Sequence, residues 1–163
     1  MSRRRVVITG VGVISSIGSD PSTFWNGILE CRSGAGPITA FDATDYKTRF
    51  ACEASGFDPS ETMDGKLVRT VDRFTQMAIA ASQQAVDDSG LEIGEDEDPQ
   101  RFGVITGTGI GGLLEIENQH SILLERGPSR LSPFFIPKIM MNAASGQVAI
   151  RYGFQGPNYA TAS

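Results

Sequence analysis

Apolar positions along the chain fall into short β-branched runs that alternate with stretches of helical period, and clusters of Gly, Pro, Asp and Ser separate them. Arg5-Val-Val-Ile-Thr9 is the first such run and predicts a buried strand, after which Gly10, Gly12 and Gly18 let the backbone turn. A helix is expected from Pro21 to Glu30, with Asp20 as N-cap, Pro21 at the first helical position and Phe24, Trp25, Ile28 and Leu29 on one face. Ser33 to Thr48 reads as loop, and Arg49 to Ala54 alternates as a strand does. Phe74, Met77, Ala78, Ala81 and Ala85 recur at helical spacing and predict a long helix from Asp72 to Ser89, ended by Gly90. The acidic stretch Glu95-Asp-Glu-Asp98 reads as an exposed connection. Arg101 to Thr106 is the next buried strand, Gly112 to Glu125 the next helix, and Ile136 to Tyr152 another, with small residues Ala143 to Gly146 at its middle. A final strand runs from Gly156 to Ser163. This order predicts a layered α/β domain with a mainly parallel sheet.

Composition narrows the function more by exclusion than by assignment. The chain has 163 residues, 40% apolar and 20% charged, which suits a globular protein with a buried core. A net charge of −5 argues against a nucleic-acid partner, which wants a basic surface. No run is long enough to span a bilayer. Met1-Ser-Arg-Arg-Arg5 has the charge of a secretory lead, but glycine and threonine interrupt Val6 to Val13, so export is not expected. Two cysteines and one histidine cannot assemble a tetrahedral zinc set from thiols and imidazole alone, and no metal is expected. Cys31 and Cys52 read as small buried or half-buried residues, and His120 as solvated helix surface on the polar side of Gly112 to Glu125.

One glycine-rich turn offers nucleotide chemistry. Gly107-Thr-Gly-Ile-Gly-Gly112 satisfies G-x-G-x-x-G between a strand and a helix, the context a dinucleotide site needs. It departs from that pattern where a second strand ending in an acidic residue should follow the helix, because Glu125 lies at the helix end and Gly127-Pro-Ser-Arg130 loops away. The turn after Thr9 lacks the third nearby glycine. A nucleotide-binding α/β domain stays open as an alternative.

Three segments carry a family resemblance: Arg5-Val-Val-Ile-Thr-Gly-Val-Gly12, Ser132-Pro-Phe-Phe-Ile-Pro137 and Gly156-Pro-Asn-Tyr-Ala-Thr-Ala-Ser163. Together they resemble the amino-terminal part of a β-ketoacyl-(acyl carrier protein) synthase, most like type II of bacterial fatty acid synthesis. The resemblance covers essentially the whole chain and implies a thiolase-like layered fold. Residues 1–163 would form an incomplete amino-terminal half, a partial ketosynthase domain. A thiolase or a polyketide ketosynthase domain would share that fold.

The resemblance also implies a reaction, a decarboxylating Claisen condensation that gives 3-oxoacyl-(acyl carrier protein) in fatty acid elongation. A cysteine thiolate takes the acyl group, malonyl-(acyl carrier protein) loses carbon dioxide, and the resulting carbanion attacks the thioester. Two histidines and an oxyanion hole assist it. The nucleophile is expected two residues after Ser163, so these residues alone should be inactive, with an exposed sheet edge prone to aggregate. Gly109 and Ile110, in the loop Gly107 to Leu113, would line a fatty acyl tunnel, and Phe135 would close it across a homodimer interface near Met140, Met141, Asn142 and the terminal strand. Lys66, Arg69 and Arg130 would form a basic patch for the acidic acyl carrier protein, although Gly65 and Thr70 stand where relatives often have further basic residues. No cofactor is implied, and the location would be cytoplasmic. A chain-length-factor-like partner without the cysteine is the second alternative.

Overall fold

The computed structural model describes residues 4–92 and 97–162. Among them α1 (Pro21–Leu29), α2 (Gly65–Thr70), α3 (Arg73–Ser89), α4 (Leu113–Arg126), α5 (Phe135–Ile139) and α6 (Ala143–Tyr152) are the α-helices. The strands are β1 (Gly36–Pro37), β2 (Phe50–Ala51), β3 (Val104–Thr108) and β4 (Asn158–Ala162). Ser163, the first three residues of the charged lead, and Glu95 and Asp96 of the acidic connection lie outside the described residues. The chain gathers into two compact units, one up to Asp58 with Ala80–Leu91 and one of Pro59–Ile79 with the segment from Glu92 onward.

In the first unit the expected strand at Arg5 to Thr9 does not form. Val6 is 94% exposed and Ile8 86%. A strand needs a hydrogen-bonded neighbour, whereas the chain just after this segment is tied to α3 by side-chain acceptors: the Val11 N–H donates to the Asp88 carboxylate and the Val13 N–H to Gln84 Oε1. Gly12 permits that approach, because a Cβ there would overlap the Ala81 carbonyl. Helix α1 starts as expected, with the Asp20 carboxylate accepting from the Thr23 N–H at 2.9 Å and Pro21 in its first turn. Its expected apolar face is not covered: Trp25, Ile28 and Leu29 are exposed, and the buried residue is Gly27, which lies against Ile17. Cys31 stands in the left-handed region just past the helix, φ 54°, and both cysteines are exposed rather than buried. The expected strand over residues 49–54 shrinks to β2, and the expected loop supplies its antiparallel partner β1. Glu53 clips that loop by accepting from the Thr39 and Ala40 N–H groups.

The second unit holds a parallel pair, β3 with β4, in the register Val104↔Asn158 to Thr108↔Ala162. Alternate β3 residues are partly covered, while Ile105 points outward. The core includes Met63, Val71, Ile79, Ala144 and Val148. Helix α3 matches its expected span, but its most buried positions are Thr75, Gln76, Ile79 and Ala80, a face rotated from the alanine-rich one. Gln76 Nε2 donates to the Val68 carbonyl at 3.0 Å, serving the end of α2. The helix expected over 136–152 is two helices, α5 and α6, broken where Met140 turns extended at φ −62°, ψ 131°. Pro137 is tolerated because it sits in the first turn of α5, where no N–H partner is needed. Gly153, φ 70°, ends α6 in the left-handed conformation.

Candidate functional site

The turn after β3 builds one wall of an open cleft in the second unit. Thr108 Oγ1 accepts from the Gly111 N–H at 3.1 Å, and Gly111 takes φ 88°, which glycine adopts without strain. The Gly112 N–H then faces the Ile139 carbonyl at 3.4 Å. A Cβ on Gly112 would lie 2.8 Å from both Ile139 Cα and the Lys138 carbonyl, and 3.2 Å from the Asp72 carboxylate. The start of α4 is thus closed by a carbonyl and a carboxylate rather than opened as a phosphate cradle, so the glycine pattern serves packing. The turn carries Ile110, 61% exposed, to the cleft edge.

The break between α5 and α6 forms the second wall with Ile139, Met140, Met141 and Asn142. Strand β4 supplies the third with Asn158, Tyr159 and Ala160. The open cleft has a volume of about 610 Å³. The polar groups of Asn158 are already engaged, its Oδ1 accepting from Ser145 Oγ at 2.8 Å and its Nδ2 donating to the Ser145 carbonyl at 2.9 Å. What remains is mostly apolar side chain with the Asn142 amide and the Tyr159 phenol, and no thiol, imidazole or carboxylate is among the lining residues. Such a surface is complementary to an apolar chain.

Of the expected tunnel residues, Ile110 lines this cleft, and Gly109 and Phe135 do not. Gly109 is exposed, with nothing within 4 Å of where its Cβ would be. Phe135 is the first residue of α5, and its N–H donates to the Ser132 carbonyl. Sequence reading missed Ile139, Tyr159 and Ala160 as lining residues, because the face each presents depends on the break after α5 and on the register of β4. His120 is exposed, as expected.

Lys66 and Arg69 are both exposed on α2, and Arg130 is exposed on a separate 3₁₀ turn, Pro128–Arg130. Asp64 caps α2 by accepting from the Lys66 and Leu67 N–H groups, each at 2.8 Å. The Leu67 and Lys66 N–H bonds, helped by the Lys66 and Arg69 charges, hold its carboxyl below the usual value, so an anion sits beside the two cations. Lys66 rims a second hollow of about 320 Å³ with Leu67, Thr70, Gln147 and Ile150.

A buried polar cluster went unread in the sequence. Glu115 and Gln119, on α4, are 8% and 6% exposed. Lys138 Nζ donates to Glu115 Oε2 at 3.1 Å, Gln119 Nε2 to Glu115 Oε1 at 3.0 Å, and the Ser132 N–H to Gln119 Oε1 at 2.8 Å. Their i, i+4 spacing places both on one helix face and is the signal that could have found them. Among the described residues no group of three or more His, Cys, Asp or Glu could hold a metal, and no helix is long and apolar enough to cross a membrane.

Known proteins with this arrangement agree with one another. The family described as "Beta-ketoacyl synthase, N-terminal domain" matches residues 3–163. A relative named 3-oxoacyl-(acyl-carrier-protein) synthase 2, from Synechocystis sp., is 47% identical over 161 residues, covering 99% of this chain and 38% of its own length. The solved structure described as the ishigamide ketosynthase/chain length factor superposes with TM-score 0.87 at 35% identity, over 99% of this chain and 40% of that one. A second, described as a type II PKS acyl-carrier protein in complex with its ketosynthase bound to the hexaketide, gives TM-score 0.76 at 26% identity, over 98% of this chain and 41% of that one. The fold is therefore the thiolase-like α/β fold of the ketosynthases, with this chain spanning well under half the length of those proteins. On the family match across residues 3–163, the chain belongs to the β-ketoacyl synthases, as their amino-terminal domain.

Proposed function

We propose that residues 1–163 form a partial amino-terminal thiolase-like domain of a 3-oxoacyl-(acyl carrier protein) synthase, and that the cleft at Ile110 holds the fatty acyl chain. The observation that carries the reading is the chemistry of that cleft: mostly apolar walls from the Ile110 turn, the Met140–Met141 break and the Tyr159 ring, with no thiol, imidazole or carboxylate among the lining residues. It suits a substrate tail and leaves the reacting carbonyl to other residues. In the complete protein a cysteine thiolate, expected after β4, attacks the acyl thioester and expels the carrier thiol. Malonyl thioester then loses carbon dioxide, and the carbanion displaces the cysteine to form the new carbon–carbon bond. Gly109 gives the turn that carries Ile110 its freedom of backbone, and Phe135 contributes from the second protomer of a homodimer. Exposed Met140, Met141 and Tyr159 suit that interface.

Lys66, Arg69 and Arg130 form the docking patch for the acidic carrier protein, a reading supported by their exposure and by the carrier protein bound to the ketosynthase in the similar complex. The setting is cytoplasmic. A second reading is favoured by the likeness to a ketosynthase/chain length factor: a partner that shapes the acyl tunnel of a catalytic subunit without a nucleophile of its own.

The test is a condensation assay on the full-length protein with acyl- and malonyl-loaded carrier protein. Formation of 3-oxoacyl product and carbon dioxide is expected. No product, together with a residue other than cysteine two positions after Ser163, would favour the second reading.

A further inference from the structure

We infer that Glu115, Gln119 and Lys138 are positioning residues that set which acyl lengths the cleft accepts, an inference that rests on the cleft holding an acyl chain. Helix α5 has 5 residues, too few to hold a fixed place by its own hydrogen bonds. It is pinned instead at both ends to one face of α4. Ahead of it, the Ser132 N–H is held by Gln119 Oε1, and in its last turn Lys138 Nζ is held by Glu115 Oε2. The Gln119 Nε2 bond to Glu115 Oε1 joins the two anchors into one unit.

The side chains of Lys138 and Glu115 are 16% and 10% exposed, so solvent cannot readily replace either partner. The residue after Lys138 is Ile139, whose carbonyl meets the Gly112 N–H and whose side chain begins the wall that continues through Met140 and Met141. Ile110, across the cleft, belongs to the turn that leads directly into α4. Both walls are therefore referenced to α4, one through the chain and one through the clamp. Loosening the clamp shifts Ile139 to Met141 against Ile110. A long acyl chain touches the whole wall and a short one only part of it, so the long chain loses more.

The test compares butyryl and dodecanoyl thioesters as primers for the full-length wild type, Lys138→Met, Lys138→Arg and Glu115→Gln. The readout is the ratio of kcat/KM for the long primer to that for the short one. Lys138→Met should lower the ratio by about tenfold, mainly through the long-primer KM, since that is the scale of discrimination by small changes in an apolar pocket. Lys138→Arg keeps the charge and should restore most of the ratio. Glu115→Gln keeps the volume and the Gln119 contact, should fall between, and decides the matter if Lys138→Met does not fold. An unchanged ratio in folded Glu115→Gln and Lys138→Met, or equal losses on both primers, would overturn the clamp's role. A wild type that condenses neither primer would instead remove the functional reading beneath it.

Discussion

Ser145 and Asn158 hold each other by two hydrogen bonds, Ser145 Oγ to Asn158 Oδ1 at 2.8 Å and Asn158 Nδ2 to the Ser145 carbonyl at 2.9 Å. Ser145 is fully buried in α6 and Asn158 opens β4, so this pair fixes where the strand meets the helix and hence where Tyr159 enters the cleft. Asn158→Ala removes both bonds and should cost about 1–2 kcal/mol, since each neutral bond contributes about 1 kcal/mol net. Asn158→Asp keeps the acceptor but sets a carboxylate oxygen against the Ser145 carbonyl, so it should be at least as destabilising as Asn158→Ala. Urea unfolding of the three proteins checks the order, and Asn158→Ala as stable as wild type would show that the pair is idle.

Steric closure at Gly12 gives a sharper expectation. An added methyl there would overlap the Ala81 carbonyl and lie 2.8 Å from its carbon, all rigid helix backbone. Gly12→Ala should destabilise by about 1–3 kcal/mol or more, the usual range for overpacking. Gly56→Ala, with nothing within 4 Å, should be neutral. Equal melting temperatures for the two variants would contradict the close approach of the amino-terminal segment to α3.

Acid should weaken the fold through capping carboxylates. Hydrogen bonds from Thr23, Thr44 and Thr39 hold Asp20, Asp42 and Glu53 below their ordinary values, and the Leu67 N–H does the same for Asp64. The unfolded chain keeps the ordinary values, so it binds these protons first as pH falls. The stabilisation is full above the ordinary values of 3.8 for Asp and 4.5 for Glu and is lost as pH drops through the depressed folded ones. Urea midpoints should be flat above pH of about 5 and fall below it. Asp64→Asn should lower the neutral-pH midpoint and shallow the acid slope, and a profile that fell on the alkaline side instead would refute the assignment.

Ile110→Trp in the full-length protein places an indole at the cleft edge. Turnover of dodecanoyl primers should fall by about 10- to 100-fold, the range for steric discrimination in an apolar pocket, while butyryl primers are spared. Equal activity on both would remove Ile110 from the acyl path.

Charge reversal of the basic residues, Lys66→Glu with Arg69→Glu, should slow reaction with carrier-bound substrate by about tenfold at low salt, because such patches act mainly on association rate. Reaction with a small acyl thioester lacking the carrier should be unaffected. Equal effects on the two substrates would mean that the change damages α2 rather than docking.

Local signals made much of this molecule readable. Asp20 with Pro21 announced α1, the alanine spacing and Gly90 bounded α3, and the β-branched run near Val104 marked β3, because each is decided within a few residues. The failures are tertiary. Val6 to Thr9 has the composition of a strand, but its apolar side chains stay exposed and the chain just after it, at Val11 and Val13, is tied to α3 by side-chain acceptors, which no local pattern records. The break at Met140 carries no glycine or central proline to announce it. Glu115 meets Lys138 from 23 residues away in the sequence, a pairing that nothing local reveals.

The register that pairs Val104 with Asn158 also orders events in time. Everything between them, α4, the clamp, α5 and α6, is the loop that must close before the first parallel hydrogen bond forms, and such long closures are slow relative to local helices. On the ribosome β3 and α4 are both synthesised before β4, so β3 has no parallel partner until residues 158–162 emerge. The chain's exposed Ile105 and neighbouring strand edge then wait unpaired until β4 emerges, which makes the synthesis of these intervening residues the interval in which a chaperone has most to protect.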